Sequence, residues 1–257
     1  MKTTYGPVSS WRLGKSLGVD LICSEKKICS FDCIYCQLGK TKIKTTKRDN
    51  FVSVDNVEKD VRNSLEITNP DVVTLSGTGE PTLAKNIDIV IKRIKELTDK
   101  PLAILTNSTL MKNKDVQKAL LELDIVVAKL DAPNEKLFQE INQPASDISL
   151  KDTISGIKNF KEIFSGIFGI QVMFIENNMN CAEEMANIVS EIVPDEVQIN
   201  TPLRPCSVKP LSKQKIAEIE NIFKQKGLKT ISVYTSKKPK TSPMDKMEMF
   251  KRRGIYK

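Results

Sequence analysis

From about residue 18 to residue 202, short apolar runs alternate with stretches that are apolar at every third or fourth position. The short runs, at 19–22, 71–76, 102–106, 124–130, 168–175 and 196–201, are rich in Val and Ile and predict strands. The longer stretches predict helices. Val57, Val61 and Leu65 form one stripe over 55–66, and Ile87, Val90, Ile91, Ile94 and Leu97 form another over 84–98. Val116, Ala119, Leu120 and Leu123 point inward from 113–123. Helical pieces at 134–142 and 148–164 are separated by Pro144, and a helix at 181–193 stops ahead of Pro194.

Strands that are apolar on both faces read as buried parallel strands. Parallel strands joined through helices demand right-handed βαβ units. Six such repeats are two short of a closed eight-stranded barrel. The pattern therefore predicts an α/β fold, an open (β/α)6 partial barrel. After it come a helix at 213–226 that ends at Gly227 and an edge strand at 228–234. Beyond Tyr234 the chain has Pro239 and Pro243 and no periodicity, so it is expected to be extended or mobile until it meets a partner. The organisation expected is a barrel core over 1–205 and a helix, strand and basic tail over 206–257.

Each predicted strand ends in polar residues. They include Ser76 to Leu83 (SGTGEPTL), Thr106 to Ser108, Lys129 with Asp131, Glu176 with Asn178, and Gln198 with Asn200 and Arg204. Side chains alternate along a strand, so Lys129 and Asp131 share a face, as do Gln198 and Asn200. In parallel barrels function collects at the carboxyl ends of strands, so these groups predict a polar chamber at the mouth.

The first predicted strand runs into Cys29-Ser-Phe-Asp-Cys33-Ile-Tyr-Cys36, three cysteines spaced C-x3-C-x2-C. Thiolates suit zinc and iron–sulfur clusters. A closed zinc site wants four ligands. With no histidine in the chain, the fourth could only be a distant residue such as Cys23, Cys181 or Cys206. Three thiolates on a four-iron cluster would instead leave one iron open for chemistry. The spacing leaves both readings standing.

With Tyr35 before the last cysteine, the run resembles the signature of the radical SAM superfamily. The resemblance implies that Cys29, Cys33 and Cys36 hold a 4Fe–4S cluster whose open iron chelates S-adenosylmethionine. One electron would then cleave the sulfonium and release a 5′-deoxyadenosyl radical. Gly77-Thr78-Gly79-Glu80 resembles the family's Gly-Gly-Glu motif for the methionine amino group, with Thr78 in place of the first glycine. By the same resemblance Asn107 and Asp131 would contact the carboxylate or ribose, Lys129 the carboxylate or substrate, and Tyr35 would flank the adenine. An external one-electron donor, a flavodoxin or ferredoxin, is implied. Three further pieces, Arg12 to Asp20, Cys36 to Gly39 and Asn200 to Pro205, resemble the branch grouped with wyosine-forming tRNA enzymes. That branch implies a tRNA or other RNA base as substrate.

Charge sharpens this expectation. Of the 257 residues, 40 are Lys or Arg and 32 Asp or Glu, for a net +8. Residues 235–257 carry +6 and the run Lys40, Lys42, Lys44, Lys47, Arg48 adds +5, leaving the remainder at about −3. Concentrated positive charge fits a phosphate-rich partner, although a solvated tail would read the same way. Phe250 and Tyr256 are the tail's only aromatic pair for stacking. A chain this long buries enough surface to need no disulfide staple, and clustered thiols point to a reducing cytoplasmic setting. The first residues lack the apolar core of a signal peptide and no apolar run approaches membrane-spanning length, so no membrane partner is expected. Two other functions fit the same residues. One is radical modification of a protein or peptide, as by glycyl-radical activases; the other is a noncatalytic, zinc-stabilised RNA-binding module.

Overall fold

The computed structural model describes residues 1–253. In chain order it contains β1 (Thr4–Ser10), β2 (Gly14–Val19), β3 (Ile28–Cys29), β4 (Ile43–Lys44), α1 (Val54–Ile67), β5 (Val72–Leu75), α2 (Ile87–Leu97), β6 (Leu102–Thr106), α3 (Lys114–Leu120) and β7 (Ile125–Lys129). It continues with α4 (Glu135–Ile141), α5 (Leu150–Ile163), β8 (Ile167–Met173), α6 (Ala182–Ile192), β9 (Glu196–Asn200), α7 (Lys213–Gln225), β10 (Thr230–Ser232) and α8 (Lys246–Arg253). One eight-stranded sheet runs β1-β2-β5-β6-β7-β8-β9-β10, while β3 and β4 pair separately. All neighbours in the large sheet are parallel except β1 and β2.

The sheet is the curled half-barrel that the alternating pattern predicts. Its six parallel repeats are β2 and β5 to β9. Val73, Leu75, Ile104, Val126, Phe168, Ile170, Val172, Val197 and Ile199 are fully or almost fully buried, and the inward stripes of α2, α3, α6 and α7 pack with them in one core. Caps fix the helix starts. Ser53, Asn113, Asn134, Ser149 and Ser212 each accept a backbone N–H of the first turn.

Three expectations need correction. The first barrel strand is β2, not 19–22, and it is preceded by the antiparallel β1. Gly18 obscures β2 in the sequence, yet a Cβ there would come within 2.2 Å of the Tyr5 ring, so only glycine fits under β1. Residues after Val19 turn instead of continuing, because Asp20 accepts the backbone N–H groups of Ile22 (3.1 Å) and Cys23 (2.8 Å). Secondly, α2 begins at Ile87 rather than 84. A single 3-10 turn, Pro81–Leu83, comes first, and Arg48 donates to the carbonyls of Thr82 (3.1 Å) and Ala84 (2.9 Å).

Thirdly, the tail is not free. Its residues run past β1, where Ser9 donates to the carbonyl of Pro239 (2.6 Å) and Met244 N–H to that of Gly6 (2.7 Å). It then forms α8 against β1. Arg252 of α8 has a wholly buried side chain. Its Nε is 3.0 Å from Asp20 Oδ2, and its other nitrogens bind Glu248 and the carbonyl of Lys2. Tyr256 lies outside the described residues. Among the described residues no helix is long and apolar enough to cross a membrane.

Removing one member of a buried ion pair strands the other charge. Arg252→Met is accordingly expected to lower unfolding stability by about 3–5 kcal/mol in urea titration. A loss under about 1 kcal/mol, the range of exposed pairs, would show that the triad is not sealed from water.

Candidate active site

The cysteine loop leaves β2 through the Asp20 turn and crosses the mouth of the barrel. Phe31 anchors it, buried edge-on against Phe138 with ring centroids 5.4 Å apart. Backbone bonds from Asp32 to Asn142 (2.9 Å) and from Ile34 to Ile141 (3.0 Å) fasten it to the end of α4. Thr41 closes its far side, donating to Asp32 Oδ1 (2.6 Å) and to the carbonyl of Phe31 (2.7 Å). Cys29, Cys33 and Cys36 are all free and partly exposed.

The Gly77-Thr78-Gly79-Glu80 turn lies directly against this loop. Gly79 bridges to Ile28, and a Cβ on Gly79 would stand 1.8 Å from the Ile28 carbonyl oxygen. A Cβ on Gly77 would stand 2.2 Å from the Asp20 carboxylate carbon. Both glycines are thus required by close approach. Thr78 is not a mere replacement for glycine. Its hydroxyl donates to Asp20 Oδ2 (3.0 Å) and accepts from Ser24 N–H (3.1 Å).

Glu80 is 2 % exposed. Its Oε1 accepts from Thr106 Oγ1 (2.7 Å), Thr82 Oγ1 (2.7 Å) and Thr82 N–H (3.1 Å), and its Oε2 from Asn107 N–H (2.7 Å). Burial raises its pKa above the usual carboxylate value, while these donors oppose the rise. Asn107 then reaches the cysteine loop, with Nδ2 at 2.8 Å from Ser30 Oγ and 3.6 Å from Cys29 Sγ. Cys29, Glu80 and Asn107 form one group.

Cys33, Tyr35, Lys129 and Asp131 form a second. Asn142 Nδ2 lies 3.4 Å from Cys33 Sγ, 3.1 Å from the Tyr35 hydroxyl and 2.8 Å from Asp131 Oδ2. Tyr35 donates to Asp131, and Lys129 Nζ sits 3.5 Å from Asp131 Oδ1 and 4.8 Å from the Tyr35 ring centroid. Met173 N–H also bonds Asp131, so both carboxylate oxygens are engaged. Burial, then Asp131, pushes the Cys33 thiol up to about 11. Burial, then Glu80, raises Cys29 further. Ligand thiols in such surroundings surrender protons when metal binds.

Sequence reasoning missed Lys27, Asp20 and Asn142. Lys27 is 7 % exposed, donates to the Gly39 carbonyl at 3.0 Å and lies 3.8 Å from Asp32. Burial disfavours its charge, but Cys36, Cys29 and Cys33 together hold its pKa above normal. Its position two residues ahead of Cys29 was the only signal. Asn142 carried none, since its partners lie up to 109 residues away. The remaining cysteines have other contacts. Cys23 lies beside Lys2 O and Arg252, Cys181 heads α6, and Cys206 bonds the Val208 carbonyl while packing near Tyr35.

Among the described residues no three Cys, Asp or Glu side chains converge on one point as a single metal ion demands. A four-iron cluster makes no such demand, because each thiolate binds a different iron. Three free thiols on one loop, with the glycine turn packed against it, fit a cluster that takes three protein ligands.

Comparison with known proteins agrees. A UPF0026 protein of Synechocystis sp. is 38% identical over 211 residues, covering 82% of this chain and 78% of its own. A Brachyspira hyodysenteriae protein named GTPase Obg is also 38% identical, over 210 residues; they are 80% of this chain but only 31% of that protein's length. Among solved structures, Streptococcus suis SuiB bound to S-adenosylmethionine superposes with a TM-score of 0.63 at 17% identity, over 83% of this chain and 50% of SuiB. Residues 27–189 match the family model described as the radical SAM superfamily, and the chain belongs to that superfamily.

Proposed function

We propose that this radical SAM enzyme uses Cys29, Cys33 and Cys36 to hold its 4Fe–4S cluster and modifies a base of RNA, tRNA being the first candidate. The observation that carries the cofactor assignment is the junction of Cys29 with Glu80 through Asn107. It joins the thiol loop to a carboxylate whose Oε2 takes only one of the four hydrogen bonds and so keeps an acceptor position for an ammonium. When bound, the cluster supplies one electron to the sulfonium of S-adenosylmethionine, so that hydrogen can be taken from substrate. Glu80 receives the methionine amino group, and the Gly77–Gly79 backbone lets it approach. Asn107 and Lys129 supply donors for the carboxylate. Tyr35 and Asp131, already locked together, set the wall beside the ribose and adenine. An external flavodoxin or ferredoxin is the electron donor.

The RNA reading rests on the exposed rim. Lys40, Lys42, Lys44 and Lys47 follow Cys36 directly and are exposed, as are Lys237, Lys238 and Lys240 in the tail. Arg48 and Arg252 leave this count, because carbonyls and buried carboxylates occupy them. The resemblance to wyosine-type enzymes over Arg12 to Asp20 points to the same substrate.

Three outcomes are expected. After anaerobic reconstitution, Cys29→Ala, Cys33→Ala and Cys36→Ala should each lose iron content and cluster absorbance, while Cys181→Ala keeps both. Retention in any of the first three would remove that ligand from the set. Glu80→Gln should weaken S-adenosylmethionine about 10- to 100-fold in equilibrium dialysis, the worth of one charge-assisted hydrogen bond. Unchanged affinity would rule out contact with the amino group. For tRNA, log affinity should fall against log salt with a slope of about −3 to −5, and Lys40→Gln/Lys42→Gln/Lys47→Gln should flatten it by about 2 to 3. Salt-independent binding, or none, would end the RNA reading.

A further inference from the structure

The last helix, α8, is held by charge rather than by apolar packing. Its buried side chains are Glu248 and Arg252, and among the described residues none of its side chains joins the apolar core of the barrel. Eight residues are too few to keep a helix in water unaided. Arg252 carries the docking. Its Nε donates to Asp20 Oδ2 (3.0 Å), Nη1 to Glu248 Oε2 and to the Glu248 carbonyl (3.1 Å), and Nη2 to the Lys2 carbonyl and to Cys23 Sγ (3.4 Å). Five N–H donors thus meet five acceptors, the full capacity of a guanidinium.

These partners are the supports of the cofactor site. Asp20 and Cys23 form the entry to the cysteine loop. Gln37, directly after Cys36, forms its exit, and Gln37 Nε2 donates to the Arg252 carbonyl at 2.9 Å. One residue of α8 therefore holds both ends of the loop, its side chain the entry and its backbone the exit. Two further routes lead from it to the glycine turn. Asp20 accepts from the Thr78 hydroxyl. The Tyr5 ring, its centroid 5.5 Å from the guanidinium carbon, meets Ser76 Oγ through its own hydroxyl at 2.7 Å, and Ser76 immediately precedes Gly77.

We infer that α8 is a clasp on the cofactor site and that Arg252 is its positioning residue: seated, it fixes where the cysteine loop and the Gly77–Glu80 turn stand relative to each other. Among the described residues its hydrogen bonds end on Lys2, Asp20, Cys23, Gln37 and Glu248, so it works through the ends of the loop and not at the ligand thiols. Lysine is a poor replacement, because three donors on a point charge cannot span the acceptors that the guanidinium fork reaches together. The inference rests on the assignment of Cys29, Cys33 and Cys36 to the cluster and is independent of the RNA reading.

The test compares the full-length chain without cofactor, as wild type, Arg252→Met, Arg252→Lys, Gln37→Ala and Ile219→Ala, by hydrogen exchange read peptide by peptide below the melting temperature of each. Ile219 is buried on α7, which packs on α6 and β10, so its truncation lowers stability away from the loop. Arg252→Met is expected to speed exchange about tenfold or more over 20–39 and 76–80, while β6 to β8 keep their protection. Gln37→Ala should loosen 34–39 alone, Arg252→Lys should lie between, and Ile219→Ala should leave the loop as in wild type. After anaerobic reconstitution, Arg252→Met should also weaken S-adenosylmethionine binding about 10- to 100-fold in equilibrium dialysis, the range for residues that orient a metal site from behind its ligands. Arg252→Lys should recover part of that loss. The inference is overturned if Arg252→Met and Ile219→Ala speed exchange in the same peptides, or if Arg252→Met loosens α8 alone and binds S-adenosylmethionine as wild type does. A wild-type protein that takes up no iron would count against the cysteine assignment, and the exchange pattern of the cofactor-free chain then decides the clasp by itself.

Discussion

Asp20 has no exposure to solvent, and three parts of the chain lean on its carboxylate. It caps the turn that ends β2, receives the hydroxyl of Thr78 and pairs with Arg252. A lone carboxylate in that position would be very costly, so its partners are obligatory. The cysteine loop, the glycine turn and the last helix are therefore not independent additions to a barrel. They share one buried charge, and the mouth of the barrel takes its shape from how that charge is satisfied.

Around this hub the site divides by polarity. On one side Glu80 and Asn107 present acceptors and an amide beside Cys29. On the other, Asp131 spends both oxygens holding Tyr35, Asn142 and Met173, so that only Lys129 remains adjustable next to Cys33. Lys27 offsets thiolate charge from within the loop itself. The arrangement is stiff where a cofactor must be gripped.

What could be read in the sequence follows from the range of the forces involved. The six parallel strands were legible because Val and Ile runs encode burial locally, and the sharing of a face by Lys129 and Asp131 follows from strand geometry alone. The glycine turn was legible as a ligand-approach segment, though not the reason for Thr78, whose partner Asp20 is 58 residues away. The β1–β2 hairpin was hidden by Gly18, where a ring from the neighbouring strand fills the space a side chain would take. Arg252 looked like one more tail cation, since its partner Asp20 stands 232 residues earlier. Long-range pairing of single charged residues leaves no periodic trace.

The segment joining β10 to α8 has one more consequence. It crosses the outer side of β1, bonding Ser9 and Gly6 through Pro239 and Met244. An uncovered terminal strand offers a row of unmet amides to any other chain, and prolines are poor templates for further pairing. The strap thus serves as a guard against self-association, shielding the flank that an open half-barrel would otherwise leave ready for intermolecular sheet growth.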